Sequence, residues 1–268
     1  NEVALKTVIF KVVKDPSAQV NALLAGDVDT FPGFQAPELV ERLKKDARFA
    51  VVVGTTEGEV IMATNNAKKP FSDLKVRQAM AHALNREELI AAESGYGIPI
   101  GSHFPPHNKA YVDLTKTYPL DIAKAKALLA EAGYPNGFEA TLKLPPVGYA
   151  QRAGEVIANQ LGKIGIKVTI NKIPGANFRT ELNKKVLPLY TNVFSGWLDY
   201  PEYFFIWCYH GNNSIFNTMS YQSKDMDTLI DGAVNAAASG DKATWDKDVK
   251  GFVDLAFTDI PRIPWSLV

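Results

Sequence analysis

The stretch Asn65-Asn-Ala-Lys-Lys-Pro70-Phe-Ser-Asp-Leu-Lys75-Val-Arg-Gln-Ala-Met80-Ala-His-Ala-Leu-Asn85-Arg-Glu-Glu-Leu-Ile90 decides the fold class. Pro70 has no amide proton and holds Lys69 in an extended conformation, so the first half is not helical. Ser72 or Asp73 can accept a hydrogen bond from the free amides of a starting helix. From there Val76, Met80, Ala83, Leu84 and Ile90 recur near the helical period. The spacing predicts one amphipathic helix ending at Ser94 and Gly95, where glycine suits a left-handed cap. An extended segment turning sharply into such a helix is a common unit of α/β proteins. It indicates the class and leaves the function open.

Upstream, Leu5 to Val13 alternates, with Val8, Phe10 and Val12 on one face and Ile9 and Val13 on the other. It predicts a strand with both faces partly buried. Asp15 and Pro16 predict an N-cap and a first helical residue. That helix carries Val20, Leu23 and Leu24 and stops at Gly26. Val28 to Phe31 predicts a short strand. Pro37 to Lys45 predicts a helix with Leu39, Val40 and Leu43 inward. Phe49 to Val53 and Glu59 to Thr64 predict further strands. This β-α-β-α-β order describes an α/β layer.

Downstream, Gly95 to Pro119 holds Gly97, Pro99, Gly101, Pro105, Pro106 and Pro119, which excludes most regular structure. A long ordered loop is functional or packed across a surface. Asp121 to Gly133 predicts a capped helix with Ala125, Leu128, Leu129 and Ala132 inward. Glu139 to Leu144 predicts a strand, Tyr149 to Ile164 a helix, Gly165 to Ile170 a strand and Asn177 to Lys184 a short helix. Leu189 to Cys208 is the most aromatic part of the chain. Lys224 to Ala237 and Ala243 to Phe257 read as helices, and Pro261 to Trp265 as extended.

Lys plus Arg and Asp plus Glu each total 29 in 268 residues. The resulting zero net charge argues against nucleic acid or an anionic membrane surface as the main partner. No apolar run reaches the roughly 20 residues needed to span a bilayer. Cys208 is the only cysteine, so an internal disulfide and a Cys-rich zinc site are excluded. His103 and His107 have the spacing of a metal pair, but Pro105 and Pro106 between them exclude the helix that would align them. No metal and no cofactor are expected. Nucleophile elbows, phosphate-cradling glycine loops and Cys-His arrangements are absent from the sequence. Asp199 and Glu202 are the one carboxylate pair weighed for hydrolysis. No catalytic residue is assigned.

Two places offer ligand chemistry. In Ser195-Gly-Trp-Leu-Asp-Tyr-Pro-Glu202 an indole stands beside a carboxylate. That pairing suits an ammonium on an apolar body, with Trp197 and Tyr200 as walls and Asp199 as counter-charge. Tyr149 and Arg152 follow Pro145-Pro146-Val147-Gly148 at a strand-to-helix junction. Free helix amides and a guanidinium there suit an anion.

Five blocks resemble one family in order. They are Ala22-Leu-Leu-Ala-Gly-Asp-Val-Asp29, the opening Lys69-Pro-Phe-Ser-Asp-Leu-Lys-Val-Arg-Gln-Ala79 with Ala83-Leu-Asn-Arg86, the run 123–139, Gln160-Leu-Gly-Lys-Ile-Gly-Ile-Lys-Val168, and Pro261-Arg-Ile-Pro264. The family is that of the bacterial extracellular solute-binding proteins, family 5, of dipeptide and oligopeptide type. The resemblance implies a periplasmic-binding-protein-like (type II) α/β fold, with a mixed sheet flanked by helices. It implies a fragment of a two-lobed protein: residues 1–63 in the first lobe, 64–258 the second lobe, and 259–268 a return crossover. The family carries Gly-Trp-x-x-Asp where this chain has Gly196-Trp197-Leu198-Asp199, one residue shorter, and Glu202 replaces a second Asp. Carried over, Trp197 is the aromatic wall and Asp199 the partner of a peptide ammonium, with an Arg near position 152 for the carboxylate. The implied function is the substrate-binding component of an ABC transporter. It would be a monomer, periplasmic or lipid-anchored outside a Gram-positive cell, that captures peptide or peptide-like solute by hinge closure. It would then dock on permease subunits. A signalling or chaperone role for the same fold is the alternative.

Overall fold

Residues Glu59–Thr64 (β1) are buried along their whole length. A strand without exposed alternation must be covered on both faces and paired on both sides. β1 meets both conditions, because Leu189–Phe194 (β5) and Arg262–Leu267 (β6) pair with it antiparallel on either side. The computed structural model describes residues 4–13, 15–31, 37–52, 54, 58–93, 97–194, 206–213 and 215–267. The chain separates into two compact units, Asn1–Gly54 and Thr55–Val268.

In the smaller unit the Asp15 carboxylate accepts from the Ala18 amide at 2.8 Å, and Pro16 opens the helix Pro16–Ala25 (α1). A second helix spans Pro37–Lys44 (α2). Val20, Leu23 and Leu43 form a small core. The strands expected over 5–13, 28–31 and 49–53 are not formed by the described residues. Ile9 and Phe10 are 85% and 91% exposed, where a strand with both faces partly buried was expected. Alternation specifies what a strand would bury, but a strand also needs a partner backbone to complete its ladder. The described residues of this unit supply none.

In the larger unit one six-stranded mixed sheet runs in the order β2-β6-β1-β5-β3-β4. β2 is Ile98–Pro99, β3 Glu139–Leu144 and β4 Lys167–Lys172. β3 pairs parallel with both β4 and β5. The carboxyl ends of β3, β4, β5 and β6 therefore share one edge with the amino ends of β1 and β2. The compact units divide at 54/55, so β1 lies wholly within the larger one.

Helices cover both faces. One face packs Val60, Met62, Leu142, Leu144 and Leu189 against Leu74–Ala83 (α3), Arg86–Ala92 (α4), Ile122–Glu131 (α5) and Gly148–Gly162 (α6). The other packs Ile61, Ala63, Tyr190 and Phe194 against Gly175–Asn183 (α7), the helical residues 206–209 (α8), Lys224–Ser239 (α9) and Lys242–Asp259 (α10). Among the described residues, no helix is long and apolar enough to cross a membrane.

The single helix expected after Asp73 is two helices. Asp73 caps α3 through its bond to the Lys75 amide, but Leu84 and Asn85 are extended. Asn85 accepts from the amides of Glu87 and Glu88 and starts α4 afresh. An Asn competes with the helix it interrupts because its side chain mimics the backbone acceptor. Gly137 of the run 123–139 and Gly165 of 160–168 have a packing reason. A Cβ on Gly137 would lie 2.0 Å from the Gly165 carbonyl oxygen, and both residues have positive φ.

Candidate functional site

β3 and β5 are adjacent parallel strands, with Lys143 opposite Tyr190. Each ends at the same edge and leads into one of the two stretches that carry ligand chemistry in the sequence. From β3 the chain passes Pro145 and Pro146 into α6, whose first turns hold Tyr149 and Arg152. From β5 it passes Phe194 into residues 195–205 and returns as α8. Open α/β sheets bind ligands outside the carboxyl ends of their strands, where successive connections diverge. Trp197, Asp199 and Tyr200 lie outside the described residues, as does the side chain of Tyr149. Arg152 is exposed, and its Nε donates to the Ala92 carbonyl at 2.8 Å, which ties α6 to the end of α4.

Beneath the end of β5 lies a buried polar network that periodicity did not foresee. Arg262 of β6 places Nη2 2.5 Å from Glu59 Oε1, and both residues are buried. Burial is the largest single influence and opposes the arginine's charge, but the Glu59 carboxylate together with Tyr209 and Cys208 raises the guanidinium above its ordinary value. His103 completes the carboxylate, with Nδ1 2.8 Å from Glu59 Oε2, and its Nε2 lies 2.6 Å from the Tyr209 hydroxyl. Burial lowers the imidazole's pKa and favours its neutral form. A neutral ring satisfies both contacts when Nδ1–H donates to Glu59 and Nε2 accepts from Tyr209. The network then holds one cation and one anion. His107 is exposed while His103 is buried, so the two do not form the metal pair their spacing suggested. Cys208 is buried beside the network, and burial pushes its thiol up to about 12, which favours the neutral thiol over the thiolate.

A second buried carboxylate sits on the opposite face. Glu93 accepts from Trp265 Nε1 at 3.0 Å and from Ser266 Oγ at 2.9 Å. Neighbours in a strand point to opposite faces. Here the register of β6 against β1 shifts between Val60 and Ile61, which makes Trp265 the extra residue and turns both donors toward Glu93. Burial pushes the Glu93 carboxyl up to about 7, with the two donors and the Arg152 charge acting in the other direction.

The sequence carried one signal for the first network. Glu59 opens an otherwise apolar run, and Arg262 interrupts another between two prolines.

Comparison with known proteins gives the chain a place. Residues 1–216 match the family model described as "Bacterial extracellular solute-binding proteins, family 5 Middle". The heme-binding protein A of Haemophilus influenzae is 28% identical over 246 residues, covering 89% of this chain and 45% of its own. The glutathione-binding protein GsiB of Escherichia coli is 28% identical over 271 residues, covering 97% of this chain and 52% of its own. The solved structure of AgaA from A. tumefacien R10, in complex with agropinic acid, superimposes with a TM-score of 0.84 at 28% identity. It covers 94% of this chain and 52% of AgaA. The chain thus spans about half the length of the relatives it matches.

Proposed function

Because the chain belongs to the bacterial extracellular solute-binding proteins, family 5, we propose that the whole protein is the substrate-binding component of an ABC importer. It captures a peptide or peptide-like solute outside the cytoplasmic membrane, as a monomer, and delivers it to permease subunits. The family match over residues 1–216 carries this reading. The fold is that of the type II periplasmic binding proteins, which fits capture and closure rather than chemistry. Contacts from both lobes give a closed state its differential stability. In this reading the unit 55–268 supplies one lobe, and β1 and β6 carry the two crossings to the other.

The ligand class follows from the residues. GsiB is named for glutathione, which shares with peptides an α-ammonium and a carboxylate. Trp197 and Tyr200 are assigned the apolar walls and Asp199 the ammonium. Tyr149 and Arg152 are assigned the opposite, anionic end. The adjacency of β3 and β5 supports grouping them, since both stretches depart from one edge of the sheet.

Calorimetric titration of the full-length protein with di- to pentapeptides and glutathione tests the reading. Saturable binding of at least one ligand is expected. Asp199→Ala is expected to weaken it about 30-fold or more, the effect of truncating one partner of a desolvated charge pair. Failure of every ligand to bind would sink the proposal.

A further inference from the structure

Residues 109–112 of the proline-rich connection face the amino-terminal half of α10 across a surface cleft of about 490 Å³. The function proposed above makes no use of this cleft. Val112, Trp245 and Val249 form its floor, the first two half-buried against the core and the third buried within it. Lys109, Lys242 and Lys250 stand exposed around it with one acid, Asp246.

Both walls are fixed. Asn108 Oδ1 accepts from the Ala110 amide at 2.9 Å, and the Leu114 amide donates to the Gly101 carbonyl at 2.9 Å. Gly101 permits that closure, since a Cβ there would lie 2.1 Å from the Thr115 nitrogen. Asp241 caps α10 by accepting from the Thr244 amide. A recess already formed loses little freedom on binding.

The charge is one-sided. Asp246 is taken up by Lys242, whose Nζ lies 2.5 Å from Oδ2. The adjoining acids turn elsewhere: Asp113 onto Thr115, Asp241 onto Thr244, and Asp248 toward Gly232 of α9. Among the described residues Lys109 and Lys250 have no ion-pair partner. Two positive charges beside an indole thus stand unbalanced in a chain whose formal charges sum to zero. Carboxylates complement the lysines, and an apolar side chain complements the floor. The cleft is open along its outer side, so a small anion in it would stay largely in water, whereas a protein segment covers the opening with its own neighbours. The indole is set into the floor, whereas a membrane-interface anchor projects its ring.

We propose that this cleft receives an acidic segment of a protein partner, which lays an apolar side chain over Trp245 and sets carboxylates on Lys109 and Lys250. The site stands whether or not the protein serves a transporter.

In the full-length protein labelled with fluorotryptophan, the Trp245 fluorine resonance, assigned by Trp245→Phe, reports on the cleft. The probe is the peptide Asp-Glu-Phe-Glu-Asp, acetylated and amidated so that it lacks the charged termini of a transported peptide. A saturable shift with half-saturation below about 1 mM is expected. Lys109→Gln combined with Lys250→Gln should weaken it about tenfold, and raising the salt from about 0.05 to about 0.5 M should weaken it several-fold. A Trp245 resonance that stays in place up to about 10 mM peptide overturns the proposal. So does undiminished binding by the double variant, or equal binding of blocked Ser-Ser-Phe-Ser-Ser, which removes the charge. Phenylacetate bound as tightly as the peptide would assign the cleft to a small anion. A shift with phosphatidylglycerol vesicles but not with the peptide would assign it to a membrane, and either result overturns the protein partner.

Discussion

Glu59 and Glu93 are buried near one edge of the same sheet, on opposite faces, and the fold meets the cost of burying them in different ways. Glu59 faces a full positive charge, with Arg262 on one oxygen and His103 on the other. Glu93 receives neutral donors on both oxygens, from Trp265 and Ser266, and the Arg152 charge is the weakest influence on it. Where a cation stands opposite, the carboxylate becomes a mechanical fixture. Where only neutral donors do, burial dominates and moves the carboxyl to about 7, so the proton itself becomes part of the structure. The fully charged cluster is the one placed beneath the end of β5.

The sharpest way to break this comparison is Arg262→Met, which leaves the Glu59 charge buried without its cation. The loss should reach about 3–5 kcal/mol in denaturant unfolding. A loss well under this would mean that the ion pair is dispensable and that the two carboxylates are not different in kind.

Glu93→Gln sharpens the other side. The folded state holds this proton more tightly than the unfolded chain, since the carboxyl moves from 4.5 to about 7. Unfolding free energy therefore falls as pH rises from 4.5 to about 7, by up to about 2–3 kcal/mol. Glutamine mimics the protonated acid and removes this slope. The variant should match the wild type near pH 4 and exceed it by about 2 kcal/mol at pH 8. Parallel urea titrations at both pH values measure the difference. Equal stability at pH 8 would count against a titrating Glu93.

The smallest effect should come from Tyr209→Phe, which deletes the hydroxyl that donates to His103 and keeps the ring against Arg262. A loss of about 1 kcal/mol is expected from thermal or chemical unfolding.

Local signals in the chain were read well where they are self-contained. β3 runs from Glu139 to Leu144 as expected, and Asp15, Asp73 and Asp121 all cap helices. The break at Leu84 and Asn85 was missed because the apolar period continues through it, while the decisive event is one side chain's bond to two amides. The three strands expected in the smaller unit, the first from alternation over Leu5 to Val13, have no ladder partner among the described residues. The Glu59 network escaped prediction because its members are distant in sequence: His103 and Arg262 lie 159 positions apart. No periodicity joins such residues; only the sheet order does. Of the expected ligand residues, Arg152 is placed by its bond to Ala92, a contact that spacing could not foretell.

β1 has one more consequence. It is held in register along both sides, by β5 and by β6, and its amino end leads back toward the smaller unit. A pull on the chain at Glu59, directed away from the sheet's edge, acts along the strand rather than across it. Such a load must slide whole rows of antiparallel hydrogen bonds at once, on two flanks, instead of opening them one after another. The larger unit thus begins in a strand that resists being drawn along its own axis.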